Sequence, residues 1–440
     1  MKGEVMEVRD ASPGYASPGY AAPVDIPVVS EGYKHTEVGV IPEDWGVALL
    51  GDCLAVKPSY GINAPAVPHS DRLPTYLRIT DITAEGSFAP DPAVSVSSNS
   101  SENYYLSAGD IVFARTGASV GKSYLYRPSD GPLVYAGFLI RVRPTQQQLL
   151  PNFLGAYVST GRYWQWVKLM SMRSGQPGIN GTEYARLPIP LPPLEEQRAI
   201  ATALSDVDAL LEALDRLIAK KRDIKQATMQ QLLTAQTRLP GFEGQWARLP
   251  LGDIVTFLSG GTPSRNNESF WAGDIPWISA STLRTIYICR SESNVTKEAV
   301  SAGSKMAPIG SVLLLVRGSA LHNEVLAGLV TKPVCFNQDV KALVPQARLC
   351  GQFLALLMHG RAQELLRLVS SAGNTAGVLD TKLIKAFEVQ LPPLDEQVAI
   401  VAILADMDSE LEALQQRRTK TAALKQAMMQ DLLTGRTRLI

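Results

Sequence analysis

Two stretches of the chain carry apolar residues at alternating spacings of three and four. In the first, Ile200, Leu204, Val207, Leu211, Leu214 and Ile218 fall on one side of a helical projection. In the second, Ile400, Leu404, Met407, Leu411 and Leu414 repeat the spacing. A seam of this kind predicts a long helix with coiled-coil-like packing. Pro192-Pro193 and Pro392-Pro393 stand just ahead of the two seams, where proline blocks helix upstream. Glu195 and Glu196 fall in the first turn, where carboxylates suit the positive helix end. A helix of 30-odd residues would be about 50 Å long. Past Ile218 the seam changes phase and is expected to run on through Ile224, Met229 and Leu232, with Pro240-Gly241 ending the helix. Two similar long helices in one chain most simply pack on each other, antiparallel, with the seam as their shared core.

The intervening stretches read differently. Asp110 to Arg115 and Ser311 to Val316 are short, rich in branched apolar residues and bounded by glycine, as strands are. Helical patterns follow near Phe153 to Leu169 and Phe353 to Leu368. The fold class is therefore α+β: two mixed domains, 35–190 and 240–390, each followed by a long helical segment, 191–239 and 391–440. Residues 1–34 contain a tandem repeat from Ala11 to Tyr20 and are expected to be a disordered tail.

The two halves are copies. Leu191 to Leu239 aligns with Leu391 to Leu439 without a gap, and more than half of the positions are identical. The preceding parts match more faintly. Trp45 with Leu50-Gly51-Asp52 parallels Trp246 with Leu251-Gly252-Asp253, and Phe153-Leu154 parallels Phe353-Leu354. Each unit of about 200 residues is thus a variable globular part joined to a near-constant helical part.

Composition narrows the function classes. The chain has 440 residues, 45% hydrophobic and 19% charged, with a formal net charge of zero. That balance argues against a protein that coats nucleic acid indiscriminately, but not against local basic patches. Cys53, Cys289, Cys335 and Cys350 form no C-x-x-C pair, so neither a zinc site nor a redox motif is indicated. His35, His69, His322 and His359 show no metal-ligand spacing. Without an apolar leader or a run of about 18 apolar residues, the expectation is a reduced cytoplasmic protein that meets no membrane. Gly117 to Ser123 resembles a phosphate loop but has three residues between its glycines where the motif needs four, and the second half lacks it. No glycine-rich dinucleotide fingerprint and no Asn-Pro-Pro-aromatic stretch is present, so no cofactor is expected on this chain.

The Leu-Pro-Pro-Leu-x-Glu-Gln stretches at 191–197 and 391–397, the long helix after each, and the duplication resemble the specificity subunit of Type I restriction–modification systems. Gly39-Val40-Ile41-Pro42-Glu43-Asp44-Trp45 is similar to the family's lead into its first target-recognition domain. The loops Ser174 to Asn180 and Gly373 to Val378 stand where each such domain returns to its helix. The likeness runs from about Tyr33 to Ile440. It implies two recognition domains related by a pseudo-twofold axis, each reading half of a bipartite site on double-stranded DNA, and a helix pair that fixes the unread spacer. It further implies two methyltransferase subunits docked on the helices and two motor-nuclease subunits, with S-adenosylmethionine, ATP and Mg on those partners.

Basic and polar residues on predicted loops and strand ends are the candidate DNA contacts. They are Arg78, Arg115, Lys122, Arg141, Arg143 and Arg173 in the first domain and Ser281, Arg284, Arg317, Asn323 and Lys382 in the second. Arginine can read guanine, and asparagine adenine, by paired hydrogen bonds. The plainer reading of any one is a solvated surface charge. Arg115 and Arg317 stand out because both follow aligned strands. Lys220-Lys221-Arg222 and Arg417-Arg418 are solvated helix faces or contacts to spacer phosphates. Two rival classes remain: a self-contained DNA-modifying enzyme, which lacks its motifs here, and a coiled-coil scaffold, which leaves the divergent globular parts unexplained. A methylation-only or Type IIB module is a third.

Overall fold

Ile111-Val112-Phe113-Ala114 has no exposed residue, and a continuous apolar run of this length suits a strand covered on both faces. In the computed structural model, which describes residues 30–172, 176–370 and 376–439, this segment lies inside a four-stranded antiparallel sheet. The strands are β1 (Leu54–Tyr60), β2 (Ile111–Ala114), β3 (Ser123–Leu125) and β4 (Leu139–Pro144), in the order β1-β4-β2-β3. Helices α1 (Pro151–Tyr157) and α2 (Gly161–Met170) pack beside it. A second four-stranded sheet is built from Leu133–Tyr135, Thr75–Leu77, Val94–Val96 and Ala66–Pro68. An early strand of the domain, Gly46–Leu49, pairs antiparallel with its last, Pro188–Leu191, which hands the chain to the long helix α3 (Leu194–Leu233).

The second domain repeats this plan with a different complement of strands. Its central sheet contains β5 (Val255–Ser259), β6 (Val312–Leu315), β7 (Ala327–Val330) and β8 (Val340–Pro345), in the order β5-β8-β6-β7, with Tyr287–Ile288 parallel at the edge. Helix α4 (Gly351–Gly360) supplies six buried residues to its core. Ala247–Pro250 pairs with Glu388–Leu391 ahead of the second long helix, α5 (Leu394–Leu432).

By contact density the chain divides into two compact units. One joins residues 1–208 with 423–440, and the other is 209–422. Each globular domain thus shares its core with the start of one long helix and the end of the other. Ile200, Leu204, Met429, Leu432 and Leu433 belong to the first core, and Ile400, Leu404, Met229, Leu232 and Leu233 to the second. The two helices contact each other in opposite directions. Within 209–422, Asp215 pairs with Arg418, Lys221 with Glu410, and Lys225 with Asp408. In the other unit Asp208 pairs with Lys425 at 2.5 Å.

Several expectations are revised. Tyr33 and Lys34, assigned to the tail, lie in a strand, Tyr33–Thr36, that pairs with Gly39–Pro42. Residues 1–29 lie outside the described residues. Along the seam, Ile200, Leu204, Leu214, Ile218, Ile400 and Leu404 are buried, whereas Val207, Leu211, Met407, Leu411 and Leu414 are half-buried. Two helices cover only a narrow strip of each other, so mid-helix seam positions keep some exposure. Ile224 is 42% exposed and does not continue the seam. The first helix stops at Leu233, ahead of Pro240-Gly241. Ala235 turns the chain out with φ of 57°, and Gly435 does the same in the second copy with φ of 70°. A left-handed residue just past the last turn ends a helix by satisfying its final carbonyls. Alanine at 235 hides that signal.

Candidate nucleic-acid interface

Each globular domain is tied to the helices by residues of the repeated Leu-Pro-Pro-Leu-x-Glu-Gln stretch. Gln197 is fully buried. Its amide nitrogen donates to the carbonyls of Gln148 and Pro192, and its oxygen accepts from the Leu150 N–H. Gln397 makes the same three bonds, to Arg348, Pro392 and Cys350. Glu196 and Glu396 are also fully buried. Glu396 receives two bonds from Arg238, at 2.6 and 2.8 Å, and one from Trp246 Nε1. A buried carboxylate of this kind is stable only when ion-paired and hydrogen-bonded. The motif thus works as a joint between domain and helix.

Away from that joint, the first domain gathers several candidates at one edge of its central sheet. Arg115 follows β2, and its guanidinium lies 4.9 Å from the centre of the Tyr60 ring at the end of β1. Its N–H donates to the carbonyl of Phe138, and its carbonyl accepts from Ile179 of the return loop. The Gly181 N–H donates to the Tyr60 hydroxyl. Arg141 on β4 stacks on Tyr135 at 5.6 Å, and the Tyr135 hydroxyl pairs with Ser59. Among the described residues two buried side-chain polar atoms lack a hydrogen-bond partner. They are Arg141 Nε here and Asn337 Oδ1 in the second domain. Such atoms are rare in native structures.

The tight turn Ala136-Gly137-Phe138-Leu139 is the centre of this edge. Leu139 N–H closes it onto the Ala136 carbonyl, Gly137 N–H donates to Ile62, and Ala136 N–H to Leu77. The turn Asn337-Gln338-Asp339-Val340 is its counterpart. Val340 N–H bonds Asn337, Asn337 N–H bonds Ile278, and Val316 N–H bonds Asp339, as Arg115 bonds Phe138. A glycine under each turn makes the packing possible. A Cβ at Gly61 would stand 2.3 Å from the carbonyl oxygens of Ala136 and Tyr135, and one at Gly260 would stand 2.1 Å from that of Asn337. Three backbone hydrogen bonds recur at equivalent positions in the two turns, while the side chains differ.

This correspondence changes the standing of several candidates. Arg115 occupies the place of Val316, and Arg317 that of Thr116, because Arg317 pairs with Val378 as Thr116 bridges Gly178. The two arginines are therefore one position out of step, and successive strand residues point to opposite sides. Arg78 is engaged inside the domain by Asp81, at 2.7 Å, and by the Pro92 carbonyl. Arg143 is bidentate to the fully buried Asp110, at 2.6 and 2.8 Å. Those hydrogen bonds hold both guanidinium groups above their ordinary pKa. Arg78 and Arg143 are thus each engaged by a buried carboxylate of their own domain. Lys122 donates to the Ile82 carbonyl, and the Gly117 segment leads into strand β3 where a phosphate loop would lead into a helix. Arg173 lies outside the described residues. In the second domain Arg284 faces Glu324 at 3.5 Å, Ser281 pairs with Ser279, and Asn323 and Lys382 are exposed.

Sequence reasoning missed Tyr60, Phe138, Gln338 and Lys341, all of which sit at these edges. Lys341 Nζ donates to Ser259, and Thr262 donates to the Gln338 amide oxygen. It also missed Arg265, whose guanidinium lies 5.2 and 5.7 Å from the rings of Trp271 and Trp277. Strand alternation around 139–144 and the glycine at 61 were the available signals. Among the described residues no group of three or more His, Cys, Asp or Glu could hold a metal ion. No described helix is long and apolar enough to cross a membrane.

Comparison with known proteins now adds a family. The Type I restriction modification DNA specificity domain matches twice, at residues 71–221 and 243–421. The EcoR124I/EcoR124II specificity subunit of Escherichia coli is 27% identical over 248 residues, which is 56% of this chain and 61% of that protein. The MjaVIII specificity subunit of Methanocaldococcus jannaschii is 22% identical over 436 residues, covering 93% of this chain and 96% of that protein. In fold, the chain is similar to one in a structure of a type I R-M system solved for its complex assembly and conformational transition. That likeness has a TM-score of 0.55 at 20% identity and covers 90% of this chain and 99% of the other. The type I S subunit from M. genitalium gives a TM-score of 0.52 at 16% identity, over 88% and 96% of the two chains. Each half of the duplication carries its own match, running from a recognition domain into the helix that follows, and the chain belongs to the Type I restriction modification DNA specificity family.

Proposed function

We propose that this chain is the DNA-reading subunit of a Type I restriction–modification complex, with each recognition domain reading one half of a bipartite site. The observation that carries this reading is the pair of turns at 136–139 and 337–340. They are hydrogen-bonded alike to equivalent neighbours, yet one presents Gly-Phe and the other Gln-Asp. Two readers of different sequence on one scaffold need a held backbone and changed side chains. Phosphate contacts would set register and base-edge contacts would set sequence.

The pseudo-twofold repeat and coiled-coil packing of the helices belong to the same proposal, as does their role in setting the spacer. Leu210, Leu217 and Ile224 recur every seven residues along α3 and are 39–42% exposed. This apolar stripe lies off the seam between the helices and suits docking of a methyltransferase subunit. Two such subunits and two motor-nuclease subunits would carry S-adenosylmethionine, ATP and Mg. Flipping and methylating adenine would be their chemistry, and this chain would be non-catalytic. Its place of work is the cytoplasm.

Methylome sequencing of the host with and without the gene tests the reading. A bipartite methyladenine motif that disappears on deletion is the expected result. Exchanging residues 240–390 for those of a relative should then change one half-site only. A change in both halves contradicts the assignment of one domain to one half.

A further inference from the structure

Phe138 is 60% exposed, more than any other aromatic side chain among the described residues. It is not exposed for want of order around it. Its turn is closed by the Leu139 to Ala136 bond, and the Phe138 carbonyl accepts from Arg115 at 3.1 Å. The turn's backbone is also held to Ile62 and Leu77 and sits directly on Gly61. The ring stands on a hydrogen-bonded backbone and is mostly exposed. The Phe138 carbonyl is bonded to the backbone N–H of Arg115, whose guanidinium lies over the half-exposed Tyr60 ring. An exposed apolar tip on a turn bonded to an arginine-bearing strand end complements a surface that is anionic at its margins and apolar at one point. Duplex DNA offers that in its major groove, where the thymine 5-methyl is the apolar mark among hydrogen-bonding base edges and phosphates lie on either side.

We propose that Phe138 is a specificity-determining residue that reads a thymine methyl in the half-site of the first domain. The assignment rests on the chain being the sequence reader of its complex. It also explains why the second domain differs. Asp339 stands at the same point of the equivalent turn and receives a hydrogen bond from Asn337 Nδ2, so that tip presents polar groups to its half-site. One scaffold then reads a methyl at one half-site and hydrogen-bonding edges at the other.

The test uses the full chain assembled with its methyltransferase subunits and duplexes carrying the site found by methylome sequencing. Each thymine of each half-site is replaced in turn by uracil, which removes only the methyl. The wild-type complex should lose about fourfold in affinity at one thymine of a single half-site, the worth of one buried methyl. F138A should bind the parent site more weakly by a similar or larger factor and be indifferent to uracil at that position. F138L, which keeps apolar contact, should retain the discrimination and also show that the turn still folds. If F138A keeps the wild-type response to uracil, the assignment is overturned. An equal weakening on specific and unrelated DNA overturns it as well. If the wild-type complex does not discriminate its site at all, the reading of the chain as sequence reader fails first, and this assignment falls with it.

Discussion

Arg438 Nε and Nη2 donate to the two oxygens of Glu196, at 2.5 and 2.7 Å, across 242 positions of sequence. The same guanidinium also reaches both oxygens of Asp44, and Trp45 Nε1 donates to Glu196. These bonds hold the arginine well above its ordinary pKa and Asp44 below its own. Arg238 and Glu396 form the same joint in the other unit. An arginine from the end of one helical segment therefore clasps the glutamate that opens the other.

Removing Arg438 leaves the fully buried Glu196 with only an indole donor. R438A is expected to destabilise the chain by about 3 kcal/mol, the scale of a broken buried pair. R238A should do the same in its own unit. Thermal unfolding of the full chain reads both, and a wild-type melting temperature for R438A would show that the joint carries no stability.

Arg115 and Arg143 should separate cleanly. R143A strips the partner from buried Asp110 and is expected to lower stability by about 3 kcal/mol. R115A, at a half-buried arginine that caps an exposed tyrosine ring, should leave stability within about 1 kcal/mol and weaken site-specific binding about tenfold or more. Paired melting and binding curves decide it, and the opposite pattern would exchange the two roles.

His359 donates its Nε2–H to the Ala327 carbonyl oxygen at 2.9 Å. Burial foremost, with nearby Lys225, holds its pKa below the ordinary 6.5. A depressed folded value means that the unfolded chain binds the proton more readily. Its contribution is therefore fully present above about pH 6.5 and is lost as pH falls through the lower, folded value. H359Q, which keeps a donor, should show a smaller drop in melting temperature between pH 7.5 and 5.5. Parallel curves for the two proteins would remove His359 from the account.

The helix ends offer a paired test. Ala235 pays the left-handed backbone penalty that Gly435 avoids, so A235G should stabilise by about 0.5–1 kcal/mol. G435A should destabilise by more than that, because a Cβ there would lie 2.4 Å from Pro42. Shifts of the same sign in both variants contradict this account.

L217D, placed on the exposed stripe of α3, is expected to abolish association with a methyltransferase subunit while moving stability by under about 1 kcal/mol. Co-purification followed by size-exclusion chromatography reads the loss. Undiminished association would move the docking surface elsewhere.

Much of the architecture was legible because it depends on periodicity. The three-and-four spacing from Ile200 to Ile218 marks a helix wherever it lies, and the duplicated Leu-Pro-Pro-Leu-x-Glu-Gln stretch marks where each helix begins. The helix ends were less legible, since Ala235 can adopt in context a backbone that alanine disfavours alone. The candidate arginines divided in a way composition could not foresee. Arg143 and Arg115 look alike in a string of letters, but Asp110 lies across the sheet from one and a bare tyrosine face beside the other.

What the sequence determined by itself was the pair of long helices, the duplication and the family resemblance, because these rest on local spacing and on identity between two halves. Tertiary structure alone decided which arginines are engaged by carboxylates within the fold, that Phe138 and Asp339 share one position on equivalent turns, and that Arg438 closes on Glu196. Those facts depend on hydrogen bonds between residues far apart in the chain, and no local pattern encodes which distant backbone group a side chain will meet.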